Sequence, residues 1–202
     1  MNKIDYKNIN NIIQNGLIKI NEPMSSHTSF GIGGNTCFIL PKEKQELSSL
    51  LSYCTKNKIK IFFAGSGSNL LVSDEGFNGV VISLKKTFKK LSISKNGVII
   101  SEAGVMLGHL VKNAMNEKIV GLESLIGVPG TLGGALIMNA GAYGAEISKY
   151  FISAETMNVY GKINTYTNKT IKFSYRTSTF PNDEILISAR FNCKLGNPKK
   201  IL

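Results

Sequence analysis

Phe63-Ala64-Gly65-Ser66-Gly67-Ser68-Asn69-Leu70-Leu71-Val72 decides how the rest of this chain is read. The apolar run over 59–64 predicts a strand leading in, and Leu70-Leu71-Val72 reads as a strand leading out. Between them the two glycines permit positive φ and close backbone approach. The N–H groups of Ser66, Gly67, Ser68 and Asn69 then face one concavity, a nest for an anion. The Ser66 and Ser68 hydroxyls and the Asn69 amide add donors there, and a diphosphate suits such a loop best. A tight turn of small polar residues between strands is the bland reading of the same run. No Gly-Lys-Ser/Thr follows, so the loop is not a P-loop. The third glycine and the following helix of the dinucleotide fingerprint are also missing.

A second glycine-rich run, Gly127-Val128-Pro129-Gly130-Thr131-Leu132-Gly133-Gly134, strengthens the ligand reading, because two such loops can grip one extended dinucleotide. It continues as Ala135-Leu136-Ile137-Met138-Asn139-Ala140-Gly141-Ala142-Tyr143-Gly144. Side chains this small either let another backbone pack closely or leave room for a flat ligand.

At 202 residues the chain buries a real core, in one domain or two small lobes. The formal net charge of +11 favours anionic ligands. Its one basic cluster, Lys85-Lys86-Thr87-Phe88-Lys89-Lys90, reads as a solvated loop; a nucleic-acid binder is disfavoured because no recognition motif accompanies the charge. Cys37, Cys54 and Cys193 are widely spaced and only two histidines occur, so no metal site is expected. The thiols fit a reducing cytoplasm. The first residues lack the apolar core of a signal peptide, and no apolar run is long enough to span a membrane.

From the N-terminus, Ile9, Ile12 and Ile13 predict a short amphipathic helix stopped at Asn15-Gly16. A polar loop follows, in which His27 is either a general base or, more simply, a hydrogen-bonding spacer. A strand at 36–40 and a helix at 42–58 precede the strand into the loop, an expected right-handed βαβ unit. A strand at 80–84 closes the first lobe. An Asn96-Gly97 hairpin opens a second, strand-rich lobe. There, 107–116 reads as a helix burying Leu107, Leu110, Val111 and Ala114, with His109 on the surface. A second hairpin turns at Tyr160-Gly161-Lys162, a polar-aromatic segment covers 173–180, and 185–191 is the last expected strand. The tail from 196 reads as unstructured, or as a linker cut short.

The ordered set His27-Thr28-Ser29-Phe30-Gly31-Ile32-Gly33-Gly34, the loop from Gly65 to Asp74, Gly121-Leu122-Glu123, the run from Gly127 to Gly144, and Tyr175-Arg176-Thr177-Ser178-Thr179-Phe180 resembles the UDP-N-acetylenolpyruvoylglucosamine reductases of bacterial peptidoglycan synthesis. The loop alone would indicate only the wider flavoprotein family related to vanillyl-alcohol oxidase. The resemblance runs over about 20–191. It implies an α+β fold: a two-lobe FAD-binding domain of the vanillyl-alcohol oxidase (PCMH) type, with lobes at 1–84 and 85–202 and the cofactor between them.

In that likeness Gly65, Ser66, Gly67, Ser68, Asn69 and Leu70 hold the pyrophosphate. Gly127, Val128, Pro129, Gly130, Thr131, Gly133, Gly134, Asn139, Ala140, Gly141 and Ala142 line the flavin. Arg176 matches the catalytic arginine that stabilises charge developing beside the substrate carboxylate, and Tyr175 supports it at the substrate. The implied reaction passes a hydride from NADPH through FAD to the double bond of UDP-N-acetylglucosamine enolpyruvate. The third, substrate-binding domain of the family, with its proton-donating serine and assisting glutamate, has no counterpart before Leu202. A flavin-binding module without catalysis, served by a separate substrate domain, is therefore the alternative reading.

Overall fold

The computed structural model describes residues 4–196. The chain divides into two compact units. The first comprises residues up to 88 together with 157–163; the second comprises 89–156 and the residues from 164 on. The change of unit falls at Phe88 rather than at Leu84, and one later segment returns to the first unit.

The first unit opens with α1 (Tyr6–Ile12), whose N-cap Asp5 accepts from the N–H groups of Lys7 and Asn8 at 3.0 and 3.2 Å. β1 (Leu17–Pro23) follows, then β2 (Asn35–Leu40), α2 (Lys44–Lys56), β3 (Ile61–Ala64) and β4 (Val80–Ser83). β1 was not anticipated. Its sequence shows no clean alternation, and it forms because it pairs antiparallel with β2, with a register shift between Lys19 and Glu22. The sheet order is β1-β2-β4-β3. β4 pairs parallel with both β2 and β3, so the expected strand–helix–strand unit exists with β4 inserted between its strands. β4 is buried along its whole length, which explains its continuous apolar run.

α2 presents Leu47, Leu50, Leu51 and Cys54 to the core. On the same helix, buried Glu46 ties the α1–β1 turn to the chain entering α2. Its Oε1 accepts from the N–H groups of Gln14, Asn15 and Gly16 at 2.8, 2.6 and 3.2 Å, and its Oε2 from Lys42 at 2.7 Å. The hydroxyls of Ser48, Ser52 and Thr55, spaced to share one side of α2, donate to the carbonyls of Gly161, Tyr160 and Val159 at 2.9, 2.8 and 2.6 Å. This fastening explains why the 157–163 segment belongs to the first unit.

In the second unit β5 (Leu91–Ile93) and β6 (Val98–Glu102) form the expected hairpin. The turn is not a two-residue Asn-Gly turn, however. The Gly97 N–H donates to the Ser94 carbonyl, and Gly97 alone sits at positive φ, closing a three-residue loop. α3 (Leu107–Asn116) buries Leu107, Leu110, Val111 and Ala114, with His109 exposed. After β7 (Ile119–Val120) come α4 (Leu132–Ile137), the small hairpin β8 (Gly141–Ala142) and β9 (Ala145–Glu146), β10 (Phe151–Asn158) and β11 (Ile163–Thr167). β12 (Phe173–Ser174), β13 (Thr177–Ser178), β14 (Glu184–Asn192) and β15 (Lys194–Leu195) complete it.

The main sheet runs β11-β10-β14-β6-β5. Phe151 anchors its core, meeting Phe173, Phe180 and Phe191 edge-on at 5.3, 6.1 and 6.3 Å between ring centroids. β14 is not the last strand: β15 pairs antiparallel with β7, a two-residue contact too short to leave a sequence pattern. The unstructured tail expected from 196 lies, beyond Gly196, outside the described residues.

Candidate cofactor site

In the first unit the loop 65–69 leaves the C-terminal end of β3, as expected. The run Leu70-Leu71-Val72 is not a strand. Leu70 and Val72 pack on Met24, Phe38, Leu40, Ala64 and Val81. Leu71 is 75% exposed. The two inward side chains pin an irregular segment, and just beyond it the Gly34 N–H donates to the Ser73 carbonyl at 2.9 Å.

Gly67 sits at φ +79, as the nest requires. Its N–H and those of Ser66 and Asn69 donate to no acceptor among the described residues. The Ser66 hydroxyl donates to that of Ser68 at 3.4 Å, and the Gly65 carbonyl accepts from Ser83 Oγ at 3.3 Å. A Cβ on Gly67 would lie 1.7 Å from the His27 carbonyl oxygen. The glycine is therefore demanded by the protein's own backbone. The Ser29 N–H completes this contact by donating to the Gly67 carbonyl at 3.1 Å.

His27 is no general base facing solvent. It is buried, stacked on Phe38 with centroids 4.0 Å apart and planes within 10°. Its Nε2 meets Glu22 Oε1 at 2.7 Å, and its Nδ1 meets Lys85 Nζ at 3.2 Å. Burial holds the His27 pKa below the ordinary imidazole value; Lys85 and Lys19 push the same way, and Glu22 opposes them. Lys85 also departs from the solvated-loop expectation. It is half-buried, its ammonium lies 5.9 Å from the Phe38 centroid, and burial lowers its pKa.

In the second unit Gly127, Val128, Pro129, Gly130 and Thr131 lead into α4. The segment is held by bonds from Leu107 N to Gly130 O, Leu132 N to Val105 O and Gly133 N to Ala103 O. Thr131 caps α4, its Oγ1 accepting from Gly134 N at 3.4 Å. The sequence reading assigned no helix here, because α4 is six residues long and begins Leu-Gly-Gly.

α4 ends in a Schellman motif, with Ala140 N donating to Ala135 O and Asn139 N to Leu136 O. This explains the positive φ of Asn139, +43. The Asn139 Nδ2 donates to the Ser174 carbonyl at 3.0 Å, and Ser178 Oγ donates to Ile137 O at 2.7 Å. These two bonds bring the β12–β13 hairpin, with Tyr175 and Arg176 at its tip, onto the end of α4. Arg176 is exposed at φ +57, and Tyr175 is 86% exposed. Holding a non-glycine residue there costs roughly 1–2 kcal/mol. Gly141 and Ala142 form β8, and Gly141 has its own structural cause: a Cβ would lie 2.8 Å from the Ala145 carbonyl oxygen.

Gly133 is also tight, since a Cβ there would lie 3.1 Å from the Ala103 Cβ, but Gly127 and Gly134 leave space. A Cβ on Gly127 would meet nothing within 4 Å, and one on Gly134 only Thr131 Oγ1 at 3.7 Å. Among the described residues three buried side-chain atoms lack a partner: Asn139 Oδ1, Glu123 Oε1 and Ser124 Oγ. A buried polar atom left unpaired costs about 1–3 kcal/mol, so each points to a missing partner. The first unit thus offers free backbone donors around Gly67, and the second, taken by itself, open space at Gly127 and Gly134 with unpaired acceptors in the same stretch of chain. Sequence reasoning did not single out Glu123 and Ser124; Glu123 stood in a quoted motif, but nothing in the sequence marks an oxygen as unpaired. Among the described residues no group of side chains is suited to a metal ion.

A family model described as an FAD binding domain matches residues 35–166. A UDP-N-acetylenolpyruvoylglucosamine reductase of Alkaliphilus oremlandii is 40% identical over 174 residues, covering 86% of this chain and 57% of that protein. The one from Caldanaerobacter subterraneus subsp. tengcongensis is 37% identical over all of this chain and 67% of its own length. The chain belongs to the UDP-N-acetylenolpyruvoylglucosamine reductase family. The crystal structure of a reductase of this family from Thermus caldophilus has a TM-score of 0.78 at 28% identity, over 92% of this chain and 65% of that one. A solvent-stable cholesterol oxidase shares the fold alone, with a TM-score of 0.68 at 15% identity over 92% of this chain and 39% of that one. The α+β, two-lobe FAD-binding fold expected from the sequence is thus the observed one. The chain spans between 57% and 67% of the length of these curated reductases.

Proposed function

We propose that this chain provides the FAD-binding part of a UDP-N-acetylenolpyruvoylglucosamine reductase. It would act in the cytoplasm on UDP-N-acetylglucosamine enolpyruvate, with NADPH as hydride donor, in peptidoglycan synthesis. The observation that carries the reading is the open space at Gly127 and Gly134 in the same stretch of chain as the unpaired Asn139 Oδ1. In the same segment Gly133 and Gly141 are required by the protein's own packing, against Ala103 and the Ala145 carbonyl. When bound, FAD supplies two-electron hydride chemistry that no side chain provides.

The chain's residues do the rest. Backbone N–H groups of Ser66, Gly67 and Asn69, with the Ser66 and Ser68 hydroxyls, bind the diphosphate. Residues 127–131, Gly133, Gly134 and 139–142 leave room for the ring and offer it acceptors. Arg176, permanently charged and capable of a bidentate grip, holds the substrate carboxylate and stabilises the negative charge that builds there during reduction. Tyr175, adjacent at the exposed hairpin tip, would contact the same substrate.

Gly134→Ala tests this reading. The new methyl has room in the protein and a helical setting that favours alanine, so stability should hold or rise by about 0.5–1 kcal/mol. FAD binding, followed by visible absorbance and flavin fluorescence, should weaken sharply. Undiminished FAD affinity in a well-folded Gly134→Ala variant would take the ring out of this segment. Anaerobic NADPH should bleach the wild-type flavin spectrum; a spectrum that never bleaches would leave a flavin-binding module without the reductase chemistry.

A further inference from the structure

Lys19, Glu22, His27 and Lys85 form a cluster of ionisable side chains, and the backbone of its central member, His27, lies against Gly67 of the diphosphate loop. Lys85 carries only donors, so its contact with His27 Nδ1 at 3.2 Å makes that nitrogen the acceptor. The ring proton is then on Nε2, donated to Glu22 Oε1 at 2.7 Å. Neutral His27 is satisfied at both nitrogens. Protonated His27 would aim a second N–H at an ammonium. The ring cannot slide aside, because it is stacked on Phe38 and buried.

The backbone of the same residue backs the loop. Its carbonyl oxygen occupies the place where Gly67 would carry a Cβ, and Ser29, two residues on, donates to the Gly67 carbonyl at 3.1 Å. Lys85 reaches the loop from the other side: its N–H donates to Ser83 Oγ at 3.5 Å, which in turn donates to Gly65 O.

We infer that His27 is a positioning residue for the diphosphate loop, locked as the neutral Nε2–H tautomer between Glu22 and Lys85, and that protonating it loosens the loop's grip on the cofactor diphosphate. The inference rests on the cofactor reading of 65–69. The charged groups facing the ring are Glu22 and Lys19 from β1 and Lys85 from the end of β4; the β2 contact, Phe38, is neutral. Burial and the two lysines place the titration below the ordinary imidazole range, so the lock is closed at neutral pH and opens on acidification.

The test is FAD affinity of the chain from pH 8 to pH 5, with ¹⁵N imidazole and amide spectra of the apoprotein. The apoprotein at pH 8 should show the Nε2–H tautomer, and the Ser29 and Gly67 amides should titrate with His27. The FAD Kd should rise on acidification, by up to about tenfold per pH unit below the midpoint, the limit for one linked proton. His27→Gln, whose amide can donate to Glu22 and accept from Lys85 without titrating, should flatten that dependence. Lys85→Met should move the His27 midpoint to higher pH, since a facing cation is gone.

A wild-type Kd that stays flat, or that falls on acidification because added positive charge simply attracts the diphosphate, overturns the inference. So does acid loss that persists in His27→Gln. A chain that binds no FAD even at pH 8 refutes the cofactor reading itself. In that case amides that follow His27 still support the lock, and amides that ignore it overturn the lock as well.

Discussion

Replacing Gly67 with alanine tests the loop at the point where backbone meets backbone. Two effects add. First, the residue sits at φ +79, and an L side chain there costs roughly 1–2 kcal/mol. Second, the new Cβ would lie 1.7 Å from the His27 carbonyl oxygen, where ordinary contact begins at 3.4 Å; 3.4 − 1.7 leaves 1.7 Å to be opened. An opening that wide breaks the Ser29-to-Gly67 bond, worth about 1 kcal/mol, and disturbs the Glu22 and Lys85 contacts of His27, together about another 1–2 kcal/mol. The sum is about 3–5 kcal/mol. With a urea slope of about 2 kcal/mol per molar, the midpoint should fall by roughly 2 M.

Gly31→Ala is the control. Its φ is +66, but a Cβ there meets nothing within 4 Å, so it should lose only about 1 kcal/mol. Urea unfolding followed by far-ultraviolet circular dichroism compares the two. A Gly67→Ala protein within about 1 kcal/mol of Gly31→Ala would refute the argument that the His27 segment braces the loop. FAD affinity, measured on the folded fraction, then reports the loop's donors apart from its stability.

Other outcomes follow from single sites. Glu46→Gln should cost about 2–4 kcal/mol at pH 7, because four N–H groups lose a charged acceptor. Burial pushes the Glu46 carboxyl up, but those four bonds outweigh it and the pKa lies below the ordinary value. Its stabilisation is therefore full above the unfolded carboxylate pKa and lost as pH falls through the folded one, so urea midpoints of the two proteins should converge in acid; a constant gap would contradict this. Arg176→Gly should relieve the strain at φ +57, leaving stability equal or up to about 1 kcal/mol higher and FAD bound. Oxidation of the reduced flavin by the enolpyruvyl UDP-sugar should slow by about 10²–10³-fold, and an unchanged rate would remove Arg176 from the mechanism. Burial pushes the thiols of Cys37, Cys54 and Cys193 up to about 11, 12 and 12, so none should react with a disulfide reagent at pH 8 until urea is added.

Periodicity carried as far as local physics reaches. α3 was legible to the residue, because Leu107, Leu110, Val111 and Ala114 repeat at helical spacing on one stripe. β4 and the β10–β11 hairpin were legible for similar reasons. α4 was not: its Thr131 cap and its Schellman end depend on backbone geometry, and glycines at its start argue against a helix. Leu70-Leu71-Val72 has the composition of a strand but pairs with no strand among the described residues, and composition cannot report a missing neighbour.

By itself the sequence determined the element types of strongly periodic segments, the anion-suited glycine loop and, through an ordered set of motifs, the family. These are properties of spacing and residue type, which the linear chain carries. Only the tertiary structure decided that β4 lies between β2 and β3, that Gly67 is required by the His27 carbonyl, that His27 is clamped between Glu22 and Lys85, and that Asn139 holds the hairpin bearing Arg176. Each depends on contacts between residues far apart in sequence, where the free energy lies in geometry that no local pattern encodes.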